Sequence, residues 1–184
     1  MQVPLVPSCG YHDAMFKRPT VFLRLVFIAL AAAAVMLHSA HDGDTLAVLS
    51  VHDGDSLRLR RADGQGMVVR LYGVDCPELG QPYGEAARDL TRRLVGRRVT
   101  VLPSGGKSWR REVAVVLLHD GRSLQSALVE AGMAWVDDRF CRRAECDGWR
   151  KAQARARAAR RGLWADADPV PPWQWRRANK RPDR

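Results

Sequence analysis

Long apolar runs are missing from this 184-residue chain. No uncharged apolar stretch reaches the roughly 18 residues that a dedicated membrane span needs, so a multi-span membrane protein is excluded. Negative charge is in short supply: 20 Asp and Glu face 30 Lys and Arg, a formal net charge of +10. That imbalance favours a polyanionic partner through long-range steering, but charge alone names neither a fold nor a reaction. Cysteine is scarce, at four residues. The nearest histidines, His52 and His119, show no zinc-ligand spacing, which argues against a zinc centre. What is present is globular material. Contents of 46% apolar and 27% charged residues argue against a disordered chain, and the length suits about one domain.

The apolar residues that do run together lie near the start. Lys17, Arg18 and Arg24 precede the uncharged run Leu25 to Leu37, which is followed by His38, Ser39 and Ala40. Basic region, short apolar region and small residues in that order predict a secretory signal over residues 1–40, either cleaved or retained as an anchor. Candidate cleavage points lie after Ala40 or within Ala31 to Ala34, and Met15 is a candidate initiator. The expected location is secreted or periplasmic. Three basic residues and one acidic residue fall in that segment, so the remainder carries 27 minus 19, or +8. Cys9 leaves with the signal. In an oxidising compartment Cys141 and Cys146 are expected to close a short disulfide loop, with Cys76 left as a thiol.

Periodicity places the elements of the remaining chain. TLAVLSVHDGDSLRLR, Thr45 to Arg60, reads as two strands around a DG turn, and MVVRLYGVD, Met67 to Asp75, reads as a third. Pro82 to Val95 carries Tyr83, Ala87, Leu90 and Leu94 at helical spacing and ends at Gly96. Val99 to Leu102 and Glu112 to Leu118 are the fourth and fifth strands. A second helix bears Leu124, Ala127, Leu128 and Ala131, capped by Ser123 and stopped by Gly132. A third spans about Arg142 to Arg161, with Trp149, Ala152, Ala156 and Ala159 on one face. The early connections are too short for crossover helices, so the expectation is a five-stranded OB-fold Greek-key barrel with three helices over residues 41–167, mainly β with α. HDGD occurs at His41 to Asp44 and again at His52 to Asp55; only the second copy lies between two strand patterns.

Four carboxylates gather at strand ends: Asp53 and Asp55 around Gly54, Asp75 at the end of the third strand, and Glu78 beyond Pro77. Pro77 disfavours helix at Cys76, so this segment should leave the sheet as a fixed turn presenting Asp75 and Glu78. Hard oxygen donors from two strand ends suit Ca2+. Any one of these residues alone is an ordinary turn residue. Arg70 on the third strand and Arg111 at the start of the fifth change the balance. A phosphodiester attacked by water develops charge that arginines and a metal can neutralise, while a carboxylate free of the metal activates the water. Glu78 is the candidate for that carboxylate.

The stretches VHDGDSLRL, VRLYGVDCPELGQPYGEAA, RREVAVV, LVEAGMAWV and ARAARRGLWAD resemble, in order and over roughly residues 46–167, the staphylococcal-nuclease-like (thermonuclease) family. The resemblance implies Ca2+-dependent hydrolysis of DNA and RNA to products ending in 3′-phosphate. It implies Asp55 and Asp75 as metal carboxylates, Cys76 as the donor of a main-chain carbonyl, Glu78 as the general base and Arg70 and Arg111 as the phosphate-binding pair. Asp53 would stand behind the metal ligands. Two departures are visible. Cys76 replaces a usual Thr or Ala, a change a main-chain contact tolerates. In KSWRR, Lys107, Trp109 and Arg110 stand where an Asp, a Tyr and a Gly are common; without that glycine the loop reaches positive φ less easily, which bears on the aim of Arg111. Trp109 is expected to stack on a base, with Lys107 and Arg110 adding phosphate contacts.

Between Asp147 and Arg184 eleven Lys and Arg face four Asp. Residues 168–184 form a basic tail in which PVPPWQWRR interleaves tryptophan with arginine. It is read either as a salt-sensitive nucleic-acid tether or as tryptophans packed onto the barrel with arginines that only solubilise. The function expected is an exported metal-dependent nuclease. The alternatives are a non-catalytic nucleic-acid-binding barrel of the cell envelope and a basic envelope protein held by its uncut signal.

Overall fold

The computed structural model describes residues 43–108 and 110–179. The predicted signal, Cys9 and Trp109 lie outside the described residues. Strand β1 (Asp44–Val51) turns at the second HDGD into β2 (Ser56–Arg60), so the last residue of the first HDGD opens the barrel. From Leu57 on, β2 alternates: Leu57 and Leu59 are buried while Arg58 and Arg60 face out. A third strand, β3 (Gly66–Leu71), buries Val69 and Leu71. The chain continues through β4 (Val74–Asp75), α1 (Gly84–Val95), β5 (Arg98–Ser108), β6 (Arg111–Leu117), α2 (Leu124–Glu130), β7 (Trp135–Val136), α3 (Glu145–Ala158), a 3-10 turn at Gly162–Ala165 and α4 (Pro172–Ala178).

The strands close a barrel in the order β1-β2-β3-β6-β5, with β3 and β6 parallel and the other pairs antiparallel. This is the predicted five-stranded barrel, with two differences. The third predicted strand divides: β3 stops at Leu71, and β4 pairs instead with β7 in a separate two-stranded sheet. Gly73, at φ 70°, makes the break, since L-residues reach that conformation only with strain. The second difference is α4, a fourth α-helix among the described residues, formed where the sequence suggested only a tail.

The helices pack on the barrel through apolar stripes. Helix α1 buries Gly84, Ala87, Thr91 and Val95, whereas Leu90 and Leu94, predicted on that face, are half-buried. The stripe is rotated because the Thr91 hydroxyl donates to the Gly54 carbonyl at 2.7 Å. In α2 the Ser123 side chain accepts from the Ser126 N–H, and Gly132 follows at φ 68°, as capping predicts. Helix α3 begins at Glu145, later than predicted, and buries Cys146, Trp149, Ala152 and Ala156. Cys141 and Cys146 are joined by a disulfide and Cys76 is a buried free thiol. No described helix is long and apolar enough to cross a membrane.

Candidate active site

The turn between β1 and β2 is built around Asp55. The Asp53 carboxylate accepts the Asp55 N–H at 3.0 Å, the local bond that Asp favours in turns. The Asp55 carbonyl accepts the Leu71 N–H at 2.9 Å, which ties the turn to the end of β3. Asp55 is 4% exposed. Its Oδ2 accepts the Cys76 N–H at 2.7 Å and its Oδ1 accepts the Ser56 hydroxyl at 3.3 Å. Asp75, expected to be presented by its turn, is instead packed at 1% exposed, because β4 carries it inward to two guanidinium partners, and it reaches the same place. Arg70 on β3 joins the two carboxylates: Nη1 pairs with Asp55 Oδ1 and Nη2 with Asp75 Oδ1, the latter at 2.6 Å.

Buried carboxylates demand compensation, and here guanidinium groups provide it. Asp75 also accepts from Arg176 on α4, at 2.7 Å to Oδ2 and 3.1 Å to Oδ1. The same Arg176 donates to Glu78 Oε1 at 2.6 Å. Its hydrogen bond to Asp75 raises the pKa of Arg176, outweighing the opposing effect of partial burial, so this guanidinium stays charged. Arg111, the first residue of β6, donates to the Ser56 hydroxyl at 3.4 Å. The glycine-free loop before it therefore still delivers Arg111 into the site. Burial pushes the Cys76 thiol well above its ordinary pKa, while its backbone N–H bonds the Asp55 carboxylate.

A cavity of about 770 Å³ unites these groups. Asp53, Asp55, Arg70, Asp75, Cys76, Glu78 and Arg111, predicted from three stretches of sequence, all line it. Arg110 is exposed on the β5–β6 turn and is not among the lining residues. The side chain of Lys107 and the whole of Trp109, on which an expected phosphate contact and the expected base stacking fall, lie outside the described residues.

Three charged lining residues were not placed in the site by the sequence: Asp137, Arg139 and Arg176. Asp137 and Arg139 follow β7 and bond each other, Nη2 to Oδ2 at 2.7 Å and Nε to Oδ1 at 2.9 Å. A signal for Arg176 was present. Pro171 and Pro172 form a helix start, and the three-residue spacing of Trp173 and Arg176 puts both on one helical face.

Among the described residues no group of three or more His, Cys, Asp or Glu side chains is arranged to hold a metal. The donor set is narrower: two buried carboxylates that both bond one guanidinium and so converge on one point. Chemically the cavity can take a phosphodiester. Arginines recognise its oxygens, and a half-exposed carboxylate, Glu78, stands beside the buried pair.

The sequence is similar to those of known proteins. The family model described as Staphylococcal nuclease homologue matches residues 68–166. An uncharacterised endonuclease of Escherichia coli O157:H7 is 36% identical over 136 residues, covering 73% of this chain and 79% of its own length. One from Haemophilus influenzae is 29% identical over 158 residues, 86% of this chain and 84% of its own. A staphylococcal-like nuclease of Arabidopsis thaliana is 36% identical over 114 residues, 61% of this chain but only 32% of that larger protein. Barrel, carboxylate pair and sequence agree: this chain belongs to the staphylococcal nuclease homologue family and is a nuclease, a hydrolase of phosphodiester bonds.

Proposed function

We propose that this nuclease is an exported, Ca2+-dependent endonuclease that cleaves DNA and RNA and leaves 3′-phosphate ends. The observation that carries this reading is the convergence of two buried carboxylates, Asp55 and Asp75, on one wall of a cavity that also holds Glu78, Arg70 and Arg111. The two carboxylates fit a hard divalent cation because they offer hard oxygen donors that converge on one shared guanidinium partner. Asp55, Asp75 and the Cys76 main-chain carbonyl would hold Ca2+, which supplies neutralising charge for the phosphate oxygens.

The chain's own residues divide the remaining work. Glu78 accepts a proton from water as its oxygen attacks phosphorus. Arg70 and Arg111 hold the oxygens on which charge accumulates, with paired N–H donors aimed where the transition state needs them. Arg70 exchanges carboxylate partners for phosphate oxygens in doing so. The bond to the 5′ oxygen breaks, and phosphate stays on the 3′ oxygen. The basic, apolar and small residues of the first forty positions and the Cys141–Cys146 disulfide support export to an oxidising compartment.

One assay tests the chemistry. Purified protein is incubated with DNA in Ca2+ or in chelator, and the product ends are identified. Cleavage in Ca2+ alone with 3′-phosphate ends is expected. Glu78→Gln should lower kcat by roughly 100- to 10,000-fold while leaving the protein folded. Equal cleavage in chelator, or full activity in Glu78→Gln, would sink the reading.

A further inference from the structure

Helix α4 is short, and seven residues do not hold a helix in water unaided. Its position comes from contacts with the barrel domain. Pro172 is buried. Trp173 packs edge-on against Trp135 at 5.8 Å and lies under the Arg139 guanidinium at 5.0 Å, while Arg139 is itself fixed by the buried Asp137. Arg176, three residues beyond Trp173, falls on the same face and delivers its guanidinium to Asp75 and Glu78.

A second link joins the same segment to Glu78. Gln81, 7% exposed, accepts the Glu78 N–H at 3.2 Å through its side-chain oxygen and donates through its side-chain nitrogen to the Val170 carbonyl at 2.5 Å. The backbone of Glu78 is thus tied to Val170 through one amide, and its carboxylate is tied to Arg176. Asp75 and Glu78 are like charges three positions apart and repel. A guanidinium that bonds both cancels that repulsion and sets the geometry between them. Without it the half-exposed Glu78 carboxylate would turn toward water.

We propose that the segment Val170–Arg176 belongs to the active site, with Arg176 as a positioning residue that holds Glu78 in place beside Asp75. The inference rests on the reading of Glu78 as the base. It differs from both sequence-based readings of the tail, since neither tethering nor solubilising requires contact with Glu78.

The test uses the full chain with Arg176→Ala, Arg176→Lys, Glu78→Gln and the double variant, and Arg177→Ala, an exposed position on the same helix, as the control for lost charge. Arg176→Ala should lower kcat on an oligonucleotide in saturating Ca2+ by roughly 10- to 100-fold, the scale of a misplaced catalytic group, with KM changed by less than about threefold. Arg176→Lys should recover only part of the rate, because it keeps the charge without the fork. Arg177→Ala should match the parent. In single turnovers on the Glu78→Gln background, removing Arg176 should cost less than about twofold, since the group it positions is gone. In chelator, the losses of melting temperature from Glu78→Gln and Arg176→Ala should be less than additive, reporting the contact without any turnover. If Arg176→Ala fails to fold, Arg176→Lys and Gln81→Leu, which cuts the backbone link, carry the same comparison. Parent or raised kcat in Arg176→Ala overturns the proposal, because α4 would then cover the site rather than order it. An equal loss with and without Glu78 also overturns it. An inactive Glu78→Gln beside an unaffected Arg176→Ala removes this inference alone, whereas an active Glu78→Gln removes the base assignment and the proposal with it.

Discussion

Gly54 stands between the two carboxylate-bearing turns. A Cβ there would lie 2.6 Å from the Cys76 Cβ, 2.8 Å from its sulfur and 3.0 Å from the Ala87 Cβ. Two of these neighbours are atoms fixed to backbone, so they yield only if β4 or α1 moves. The Gly54 carbonyl meanwhile accepts from Thr91, which holds the turn against α1. Gly54→Ala should therefore destabilise the protein by about 1–3 kcal/mol, the usual range for overpacking, and should lower kcat by displacing Asp55. Urea unfolding and steady-state cleavage measure the two effects; parent values for both would show that the turn has slack. At this scale the sequence was informative about Asp53, Asp55, Asp75, Glu78, Arg70 and Arg111, because turn chemistry and strand ends constrain them locally. It was silent on the glycine's crowding, since Cys76 and Ala87 meet it only through the fold.

Between β7 and α3 a short segment supports the rim of the cavity. The Asp137 carboxylate accepts from the Arg139 N–H, Nε and Nη2. Burial acts to raise the pKa of Asp137, but the hydrogen bonds and charge of Arg139 outweigh it and the net shift is downward. A carboxyl with a depressed folded-state pKa contributes stability that is present above its unfolded value, about 3.9, and is lost as pH falls through the lower folded value. The stability difference between the parent and Asp137→Asn should therefore be constant from about pH 7 to 5 and should shrink below about pH 4. Denaturant titrations across that range measure it, and a difference that persists undiminished into acid would refute the assignment. Elements with strong periodicity, such as β2 and α2, were legible because burial alone orders them. The rotation of α1 and the helical state of Pro172–Ala178 were not, since the first depends on a bond to Gly54 and the second on a slot beside Trp135.

Charge acts over the whole molecule. Residues 41–184 carry 27 basic and 19 acidic side chains, and the segment from Asp147 onward holds most of that excess. The cavity uses four of the arginines: Arg70, Arg111, Arg139 and Arg176. The others give the surface its basicity, which draws a polyanion toward the site. The export proposal rests on the first forty residues. N-terminal sequencing of protein recovered from the periplasm or medium should find a start within 32–41, after Ala40 or inside Ala31 to Ala34. Recovery of only the intact chain from the cytosol would end the export proposal.

Local rules sufficed for the barrel and for most of the carboxylates and arginines, because alternation, turn residues and caps are each satisfied within a few positions of the chain. Two features lay beyond them. One is the convergence of Asp55 and Asp75, twenty positions apart, on a single guanidinium. The other is the return of Arg176 to Asp75 across the whole domain. Both depend on which surfaces meet when the core closes. The basic tail looked like solvated charge because nothing near it in sequence needs an arginine; two acidic groups near it in space do.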